Sequence, residues 1–520
     1  MSGVQQRDVI FSAKPYSSPY TSVGVERVDN FYCEFAKSNS AKQQYYFVGI
    51  QGLHASLNKS APNLCRGMFT TASGRTFGVW GTALVELTNS ASMRVTRGQI
   101  LTTSGIVRFA ENGTQMILVD GSYGYILDLL SNAWNRITDE AFPGVDDPTL
   151  GPSHVVSVDT HFIVNQGGTK NYFWSSPGYI DYAFNVSAPN VYSHWNGINY
   201  GTKLGDNDTI VALASIGNLL LVFGSRSLEF HRNTGDTKGQ LFARIDNALA
   251  NVGCVAPGAV AVIGDFCYFL GSDSKGTIGL YRVGMDFQAV RISERGYEAR
   301  WQSYESISDA YAYSYAVDGH QFINFVFPHG TSIDGGAITG ATWAYDATSE
   351  TCTRRTSYNA LTGVTSSYQG IHAAYNRLWN MVLMGDKAHD AVYWLDNAMY
   401  ENDDGVGGKQ TILGVLSGPV AYDSNRATIM RAVVLNHQPG YAPRTGDGSD
   451  PKWALQVSRD SGNTWGKITM RSAGSIAQYR HQTLWALGGS GRNVQFLFWT
   501  TDPFKRVVLG YTIRYEQGRF

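Results

Sequence analysis

The sequence predicts an all-β protein: a β-propeller of six or seven degenerate blades with an additional C-terminal β-sandwich-like domain. Hairpin signatures recur along the chain, and the residues that flank each turn follow strand patterning and not helix patterning. The 520-residue chain contains 57 Gly, and 13% of its residues are aromatic, as expected where many short strands need many tight turns. A hydrophobic fraction of 43% with only 16% charged residues indicates an ordered globular protein.

The propeller is predicted from the spacing of seven hairpin turns. These turns lie near Gly74, Gly113, Thr160, Gly217, Asp265, Gly319 and Asn376, at intervals of 39 to 57 residues. A four-stranded unit that repeats every ~40–50 residues is the sequence sign of a propeller blade, whereas a large sandwich would give similar turns without favouring a repeat. The intervals are irregular and fit either six blades or seven. Residues 297–311 are a candidate helix or an inter-blade connection.

Two polar, Gly-rich stretches suggest how the chain divides into domains. Residues 401–408 form a predicted loop, and residues 438–451 contain too much Pro and Gly for a regular strand. We therefore expect N-terminal arm and ring-closing strands over residues 1–65, the β-propeller over 66–405 and a C-terminal β domain over 406–520.

Charge is distributed unevenly along the chain. The formal net charge is only −1, which argues against a protein that coats DNA along its whole surface. Residues 426–520 contain thirteen Lys and Arg against five Asp and Glu, a net of +8, and the rest carries 28 basic and 37 acidic side chains, a net of −9. This segment indicates either a partner or channel of opposite charge, or a solvated surface with acids nearby in space. Lys505, Arg506 and Arg514 are its candidate contacts with such a partner or channel.

The five cysteines predict buried free thiols. They are widely spaced, and no CxxC pair occurs, which fits a reducing cytoplasm better than a disulfide framework or a zinc site. The N-terminal residues lack the basic and apolar regions of a signal peptide, and no apolar run reaches the ~20 residues of a membrane helix. The sequence therefore predicts a protein made in the cytoplasm.

The sequence contains one complete copy of a known hairpin motif, the Asp-box. Ser458, Asp460, Gly462, Thr464 and Trp465 form an S-x-D-x-G-x-T-W Asp-box, in which the carboxylate caps backbone amides and Gly supplies an unusual dihedral angle. Asp-boxes occur in sialidases, which suggests a glycan-hydrolysing alternative. The motif is also a folding device of many non-enzymatic β proteins, and a single copy favours that interpretation.

Catalytic and metal-binding patterns are lacking in the sequence. Acidic pairs such as Asp206 and Asp208 lie in Gly-rich turns, where carboxylates usually satisfy the local backbone, and there is no HExxH, G-x-S-x-G or phosphate-binding loop. The aromatic-rich residues 171–195 fit core packing within a blade better than a surface for stacking sugars or bases. We expect no catalytic residue, no cofactor and no metal.

The order of short motifs over most of the chain resembles the packaged-DNA stabilisation, or tail-hub (nozzle), proteins of short-tailed bacteriophages (podoviruses). An asparagine–aromatic–glutamate opening is followed by matches near residues 49–53, 78–87, 343–346 and 510–515, and the strongest local match lies over residues 208–235. The family-motif residues are Asn30, Glu34, Asp208, Phe223, Gly224, Glu229 and Gly235. Residues 199–205 lack a proline that the family often has, and the loop at 330–339 looks expanded.

This resemblance implies a virion structural protein without an active site. The implied assembly is a ring of about six identical copies, since closure of a head-to-tail ring fixes the copy number. The ring would continue the DNA channel below the portal and the adaptor, retain the packaged genome, and pass double-stranded DNA without reading its sequence. Its other implied partners are a tail needle or plug and tailspike or fibre proteins. The implied location is the virion tail, after synthesis in the host cytoplasm.

Two rival hypotheses remain at the level of sequence. The first is a glycan-binding or sialidase-like β-propeller, suggested by the Asp-box and the aromatic residues, although such a site would require several arginines near the propeller axis. The second is a propeller scaffold for protein binding, which would be a stable monomer.

Overall fold

Seven four-stranded antiparallel sheets surround one axis and form a β-propeller. The computed structural model describes residues 4–15, 26–36, 43–57, 61–181, 194–236, 240–273, 275–330, 340–419, 421–422 and 427–517. Within these ranges nearly all regular structure is β, as predicted. Six blades are separate sheets, whereas the remaining blade continues into the second domain.

The blades follow one another along the chain, and each runs from an inner strand to an outer strand. Blade 1 consists of Cys65–Thr70, Thr76–Trp80, Ala83–Thr88 and Met93–Gln99, and blade 2 of Arg108–Glu111, Gln115–Val119, Gly124–Asp128 and Trp134–Arg136. Blade 3 consists of Val155–Val158, His161–Asn165, Asn171–Ser175 and Trp195–Thr202, and blade 4 of Ile210–Ile216, Leu219–Gly224, Leu228–Asn233 and Phe242–Ala250. Blade 5 consists of Val260–Ile263, Phe266–Asp273, Ile278–Val283 and Val290–Arg291, with the additional strand Val252–Cys254. Blade 6 consists of Tyr311–Val317, His320–Phe327, Ala341–Asp346 and Thr351–Asn359, with the additional strand Val364–Ser367. Blade 7 consists of Gly370–Asn376, Met381–Asp386, Val392–Asp396 and Gly52–Leu57.

All seven predicted turns are the first hairpin of a blade, between its inner strand and the next strand. Gly217 and Gly319 adopt φ angles of 56° and 80°, a region that Gly enters without steric cost. At the turn predicted near Asp265, the residue with positive φ is Gly264. The turn spacing thus locates every blade, although the sequence alone did not decide between six blades and seven.

The outer strand of blade 7 comes from the N-terminal part of the chain. Gly52–Leu57 pairs antiparallel with Val392–Asp396, so the beginning and the end of the propeller meet in one sheet. Leu53 is fully buried in this blade. This pairing covers an edge that would otherwise present unpaired backbone groups.

The second domain is a β-sandwich. One sheet contains Gln5–Val9, Phe31–Phe35, Tyr45–Gly49, Thr428–His437, Thr483–Ala486, Ser490–Gly491 and Val507–Gln517; the other contains Val28–Asp29, Gly414–Ser417, Ala421–Tyr422, Lys452–Ser458, Thr469–Ser472 and Asn493–Thr500. Its core includes Trp453, Trp485, Phe498 and Tyr511, all nearly inaccessible.

The N-terminal arm expected over residues 1–65 requires a correction. The strands within residues 5–49 belong to the sandwich, because Phe11, Phe31 and Phe47 are buried in its core. The sandwich therefore combines both ends of the chain, which the sequence division into 1–65, 66–405 and 406–520 did not foresee.

Helical structure in the described ranges is limited to short connections. The α-helix Arg295–Gln302 joins blade 5 to blade 6 and buries Tyr297 and Trp301 against Trp343 of blade 6. It begins two residues before the predicted candidate. A 3-10 turn covers Pro148–Leu150, and a two-stranded hairpin, Glu401–Asp403 with Lys409–Thr411, occupies the predicted loop before the sandwich.

Candidate functional site at the propeller–sandwich junction

The two domains share one continuous sheet. Val28–Asp29 pairs in parallel with Thr351–Asn359 of blade 6 and antiparallel with Gly414–Ser417 of the sandwich. An eleven-stranded sheet results, which runs from the propeller axis to the far edge of the sandwich. Backbone hydrogen bonds therefore fix the orientation of blade 6 relative to the sandwich.

A buried ion pair stabilises this junction. Asp29 accepts hydrogen bonds from Arg354 Nε and Nη2, both at 2.7 Å, and from Arg27 Nε at 2.5 Å. Burial by itself would raise the pKa of Asp29, but the two guanidinium groups outweigh it and hold the pKa at about 2. Asp29 therefore remains ionised, and loss of both guanidinium groups would leave a buried charge uncompensated.

Asn30, the first family-motif residue, connects the N-terminal segment to both domains. Its Nδ2 donates to Thr356 O at 3.0 Å and to Leu413 O at 3.0 Å, and its Oδ1 accepts from Thr356 N at 2.9 Å. Its φ of 58° places it in the left-handed region, which Asn adopts more readily than other non-Gly residues. The side chain replaces backbone partners at a point where the chain turns sharply between two sheets.

Glu34, the second family-motif residue, forms a further connection. Its Oε2 lies 2.6 Å from His320 Nε2, and His320 Nδ1 lies 2.6 Å from Asp346 Oδ2. Burial would lower the pKa of His320, but the two carboxylates outweigh it and raise the pKa to about 9. The imidazolium at neutral pH thus holds a sandwich strand against blade 6.

Sequence reasoning missed His320 and Arg354 as parts of this junction. They lie 286 and 325 residues from Glu34 and Asp29, and no local pattern marks either one. Asp346 did fall within the strand recognised at residues 343–346, but its partner could not be inferred. Correlated substitutions among relatives would be the signal for such pairs.

The strongest family motif forms a buried charged cluster between blades 3 and 4. Lys203 contacts Asp208 and donates to Ser227 Oγ at 2.5 Å, while Glu229 accepts from Leu204 N at 3.0 Å and lies 3.0 Å from His231 Nε2. Burial would raise the pKa of both acids, but these hydrogen bonds and charges lower it overall.

The other residues of that motif have packing and turn roles. A Cβ at Gly224 would lie 2.1 Å from Asp208 Oδ2, so only Gly fits beside the cluster. Phe223 is fully buried against Phe269 of blade 5, with ring centroids 4.9 Å apart. Gly235 has a φ of 73° in the turn after Leu228–Asn233. The motif therefore specifies how neighbouring blades pack.

These clusters do not have the geometry of a catalytic site. Lys203 and Glu229 are fully buried, whereas a catalytic acid or base needs access to its substrate. Within the described residues, no group of three or more His, Cys, Asp or Glu side chains could hold a metal ion. The five cysteines are buried and free, as predicted.

The Asp-box lies at the end of the sandwich strand Lys452–Ser458. Asp460 accepts from Thr464 N at 2.8 Å and from Thr464 Oγ1 at 2.7 Å, and these bonds help to lower its pKa to about 2. Gly462 has a φ of 86°, and Trp465 is half-buried. The motif is thus a hairpin cap in the sandwich. In a sialidase-like site it would instead have to support a pocket at the propeller axis.

The structure separates the three predicted basic contacts. Arg506 is a correction, because it is 1% exposed and donates to Ile412 O at 2.9 Å and Tyr400 O at 3.3 Å. Lys505 is exposed, with Nζ 5.9 Å from the centroid of the Tyr441 ring. Arg514 is exposed within the last strand, Val507–Gln517. Arg506 therefore cannot contact DNA or another protein in this fold.

Tyr441 belongs to an exposed group at one end of the sandwich, which we call the tyrosine–lysine patch and define as Tyr441, Tyr479 and Lys505. The two tyrosine rings meet edge to face with centroids 6.0 Å apart. They are 46% and 64% exposed, and Ile476 beside Tyr479 in sequence is 46% exposed. Exposed aromatic side chains next to a cation are typical of protein interaction surfaces.

The described part of the aromatic-rich segment contributes three large side chains to the core. Tyr172, Trp174 and Trp195 are buried, in accordance with the packing interpretation. Residues 182–193 of that segment, and residues 331–339 of the expanded loop, lie outside the described residues. No helix of the described residues is both long and apolar enough to cross a membrane.

The propeller axis contains a cavity of about 490 Å³, lined by the inner strands of all seven blades. Residues 256–258 cross one end of it, where Gly258 O accepts from Ala312 N of blade 6 at 2.9 Å. Duplex DNA, whose major groove alone is ~12 Å wide, does not fit into such a cavity. A duplex therefore cannot pass through an individual propeller.

Comparison with known proteins matches both domains to family models. Residues 30–400 match the model described as "Bacteriophage P22 Gp10, beta-propeller", and residues 415–516 match "Bacteriophage P22 Gp10, beta-sandwich". No curated protein sequence matches. Among solved structures, the chain is similar to "Streptogramin B lyase structure" (11% identity, TM-score 0.39, 66% of this chain and 97% of that one) and to a chain of "Crystal Structure of Mitotic Checkpoint Complex" (10%, 0.37, 70% and 97%). Both TM-scores lie below 0.5, so these two likenesses carry no argument.

Proposed function

The chain belongs to the bacteriophage P22 Gp10 family, and from that premise we propose that it is the tail hub of a short-tailed phage. In this proposal several copies form a ring in the virion tail, below the portal and the adaptor. The ring continues the DNA path, retains the packaged genome and passes it during ejection. The protein is made in the host cytoplasm and acts as a structural component without catalysis.

The observation that supports this proposal most strongly is the match of both domains in their family order. The two matched ranges cover the propeller and nearly all of the C-terminal half of the sandwich. The family-motif residues Asn30, Glu34, Asp208 and Glu229 all form connections between blades or between domains, and Asn30, Asp208 and Glu229 are buried. Such connections suit a rigid building block that carries load.

The narrow axis of the propeller limits where DNA can pass. Since a duplex does not fit inside one propeller, a channel must run between copies arranged around a common axis. Closed rings of identical subunits use heterologous, head-to-tail interfaces. The channel wall would then consist of the outer surfaces of propellers or sandwiches, and contact with DNA would be to phosphates and not to bases.

The tyrosine–lysine patch is the surface that we propose for docking to the adaptor. It combines exposed aromatic area with a cation, and it lies within the segment that carries a net charge of +8. Complementary charge increases the rate and specificity of association. An acidic adaptor surface is therefore the expected partner, and the tail needle or plug and the tailspike or fibre proteins would bind elsewhere.

Genome retention in particles tests the proposal directly. Phage particles assembled without this protein should lose their DNA to added nuclease after packaging ends. Addition of the purified chain to freshly packaged heads should restore nuclease-protected DNA. Heads that keep their full genome in the absence of the protein would contradict the proposal, and turnover of a bacterial glycan by the purified protein would favour the glycan-active alternative.

A further inference from the structure

Arg108 lies at the start of the inner strand of blade 2 and lines the axial cavity. Its Nη2 donates to Gly258 O, on the crossing segment 256–258, at 2.8 Å. His154, which precedes the inner strand of blade 3, donates from Nε2 to Pro257 O at 2.8 Å. Side chains of two blades therefore converge on the segment that crosses the end of the axis.

Arg108 is half-buried and differs from the buried arginines in how its donors are used. Arg66 makes five hydrogen bonds, to Gly105 O, Gly81 O, Thr102 O, Thr102 Oγ1 and Ser104 O. Arg354 binds Asp29 with two nitrogens. Arg108 has a single hydrogen bond to the described residues, and no described carboxylate lies within 4 Å of it. Most of its five N–H donors therefore remain available on the cavity side.

The groups around Arg108 do not neutralise its charge. Burial, together with Arg108, lowers the pKa of His154 and of His372 to about 3, so both imidazoles are neutral. Burial raises the pKa of the Cys254 thiol to about 12, so it is neutral too. Glu111 lines the same cavity but lies about 10 Å further along the strand, where Oε1 accepts from Ala72 N at 2.5 Å.

We infer that the axial cavity is a binding site for a small free oxyanion, a phosphate or a carboxylate, which Arg108 holds through its unused N–H donors. A guanidinium presents a planar fork of donors that matches these anions in bidentate geometry. The half-buried guanidinium has no described carboxylate beside it, and an anion in the cavity would supply the missing opposite charge.

The bound anion would also affect the two histidines and the stability of the propeller. A negative charge beside Arg108 offsets its repulsion of protons on His154 and His372 and so raises the pKa of both. Arg108 and His154 hold the crossing segment from two blades. Binding of the anion would therefore stabilise the closed propeller of each chain. A ligand that binds only the folded state raises the unfolding temperature in a saturable manner.

Thermal unfolding of the full chain tests this site. Inorganic phosphate and acetate are each titrated against sodium chloride at equal ionic strength and pH 7.5. We expect the unfolding temperature of the natural protein to rise by a few degrees and to saturate with at least one of the two anions. Arg108→Met should abolish that rise, whereas Arg136→Met, which removes an exposed charge from the outer strand of the same blade, should preserve it.

A second measurement covers the case in which Arg108→Met does not fold. The imidazole resonances of His154 and His372 in the natural protein should shift on addition of the stabilising anion, and that of the exposed His54 should not. An unfolding temperature unaffected by either anion, an equal rise in Arg108→Met, or unchanged resonances of both histidines would overturn the inference.

Discussion

Arg506 shows how burial decides what a charged residue can do. The sequence placed it beside Lys505 as a candidate contact for an acidic partner, yet Lys505 is exposed and Arg506 is buried, just before the last strand begins at Val507. Burial lowers the pKa of Arg506 to about 10, and its N–H groups donate to backbone carbonyls of the hairpin and connection that link propeller and sandwich. Its role is to satisfy these carbonyls.

Charge reversal at the two positions should therefore have opposite consequences. Arg506→Glu would bury a carboxylate against the carbonyl oxygens of Ile412 and Tyr400, and we expect a loss of at least ~3 kcal/mol in stability. Lys505→Glu should change stability by no more than ~0.5 kcal/mol, as is usual for exposed positions. Urea unfolding followed by tryptophan fluorescence measures both. Equal stabilities for the two variants would contradict the burial of Arg506.

His320 gives the junction a dependence on pH. Its pKa in the folded protein, about 9, lies above the ordinary 6.5, so its contribution to stability is fully present below pH 6.5 and is lost as the pH rises through about 9. The natural protein should accordingly lose more thermal stability between pH 6.5 and pH 10 than His320→Gln. Scanning calorimetry across this range measures the difference. Parallel pH profiles for both proteins would show that Glu34 and Asp346 do not hold a charged imidazole.

Residues with local roles could be predicted from the sequence, and residues with distant partners could not. The Asp-box bonds of Asp460 and Thr464 span four positions, and the pattern alone implied them. Asp29 and Arg354 are 325 residues apart in the chain and meet only in the folded structure. The orientation of Arg506 also escaped prediction, because a strand alternates its faces and the segment before Val507 is irregular.

At the scale of elements, the first hairpin of each blade is the best-predicted feature. Its turn needs Gly, Asn or Asp, and its second strand is strongly apolar because neighbouring blades enclose it. The outer strands are less apolar and harder to recognise, as Met93–Gln99 and Trp195–Thr202 illustrate. The two-residue strand Val28–Asp29, which joins the domains, is too short to carry any pattern.

The ring-closing strand Gly52–Leu57 offers a test at this scale. Leu53→Asp places a carboxylate in the core of blade 7, and we expect this blade to open while the sandwich strands keep their own pairing. Limited proteolysis should then cleave near residues 58–64 or 387–391 much faster than in the natural protein. His54→Ala changes a half-exposed side chain on the same strand and should leave the cleavage rate almost unchanged. Equal rates for both variants would argue against closure by this strand.

At the scale of the whole molecule, propeller and sandwich behave as one block. The eleven-stranded sheet, the ion pair of Asp29 and the bonds of Asn30 all cross the boundary between them. A rigid block is suited to a ring in which each copy must transmit force without bending. The predicted domain division missed this unity because the sandwich is assembled from both ends of the chain.

The tyrosine–lysine patch predicts a separation between assembly and stability. Lys505→Glu together with Tyr479→Ala should weaken binding to the phage's adaptor at least about tenfold, since aromatic and cationic residues are frequent hot spots, while the unfolding temperature stays the same. Arg136→Glu, at an exposed site on blade 2, is the matched control. Surface plasmon resonance against immobilised adaptor measures the affinities. Undiminished binding by the double variant would place the docking surface elsewhere.

The mass of the purified protein in solution, alone and mixed with the adaptor–portal complex of its phage, tests the central claim most directly. Mass photometry resolves each species without labelling. The tail-hub account predicts that about six copies join each adaptor–portal complex in a single closed ring. A protein that stays monomeric and ignores the complex would contradict that account.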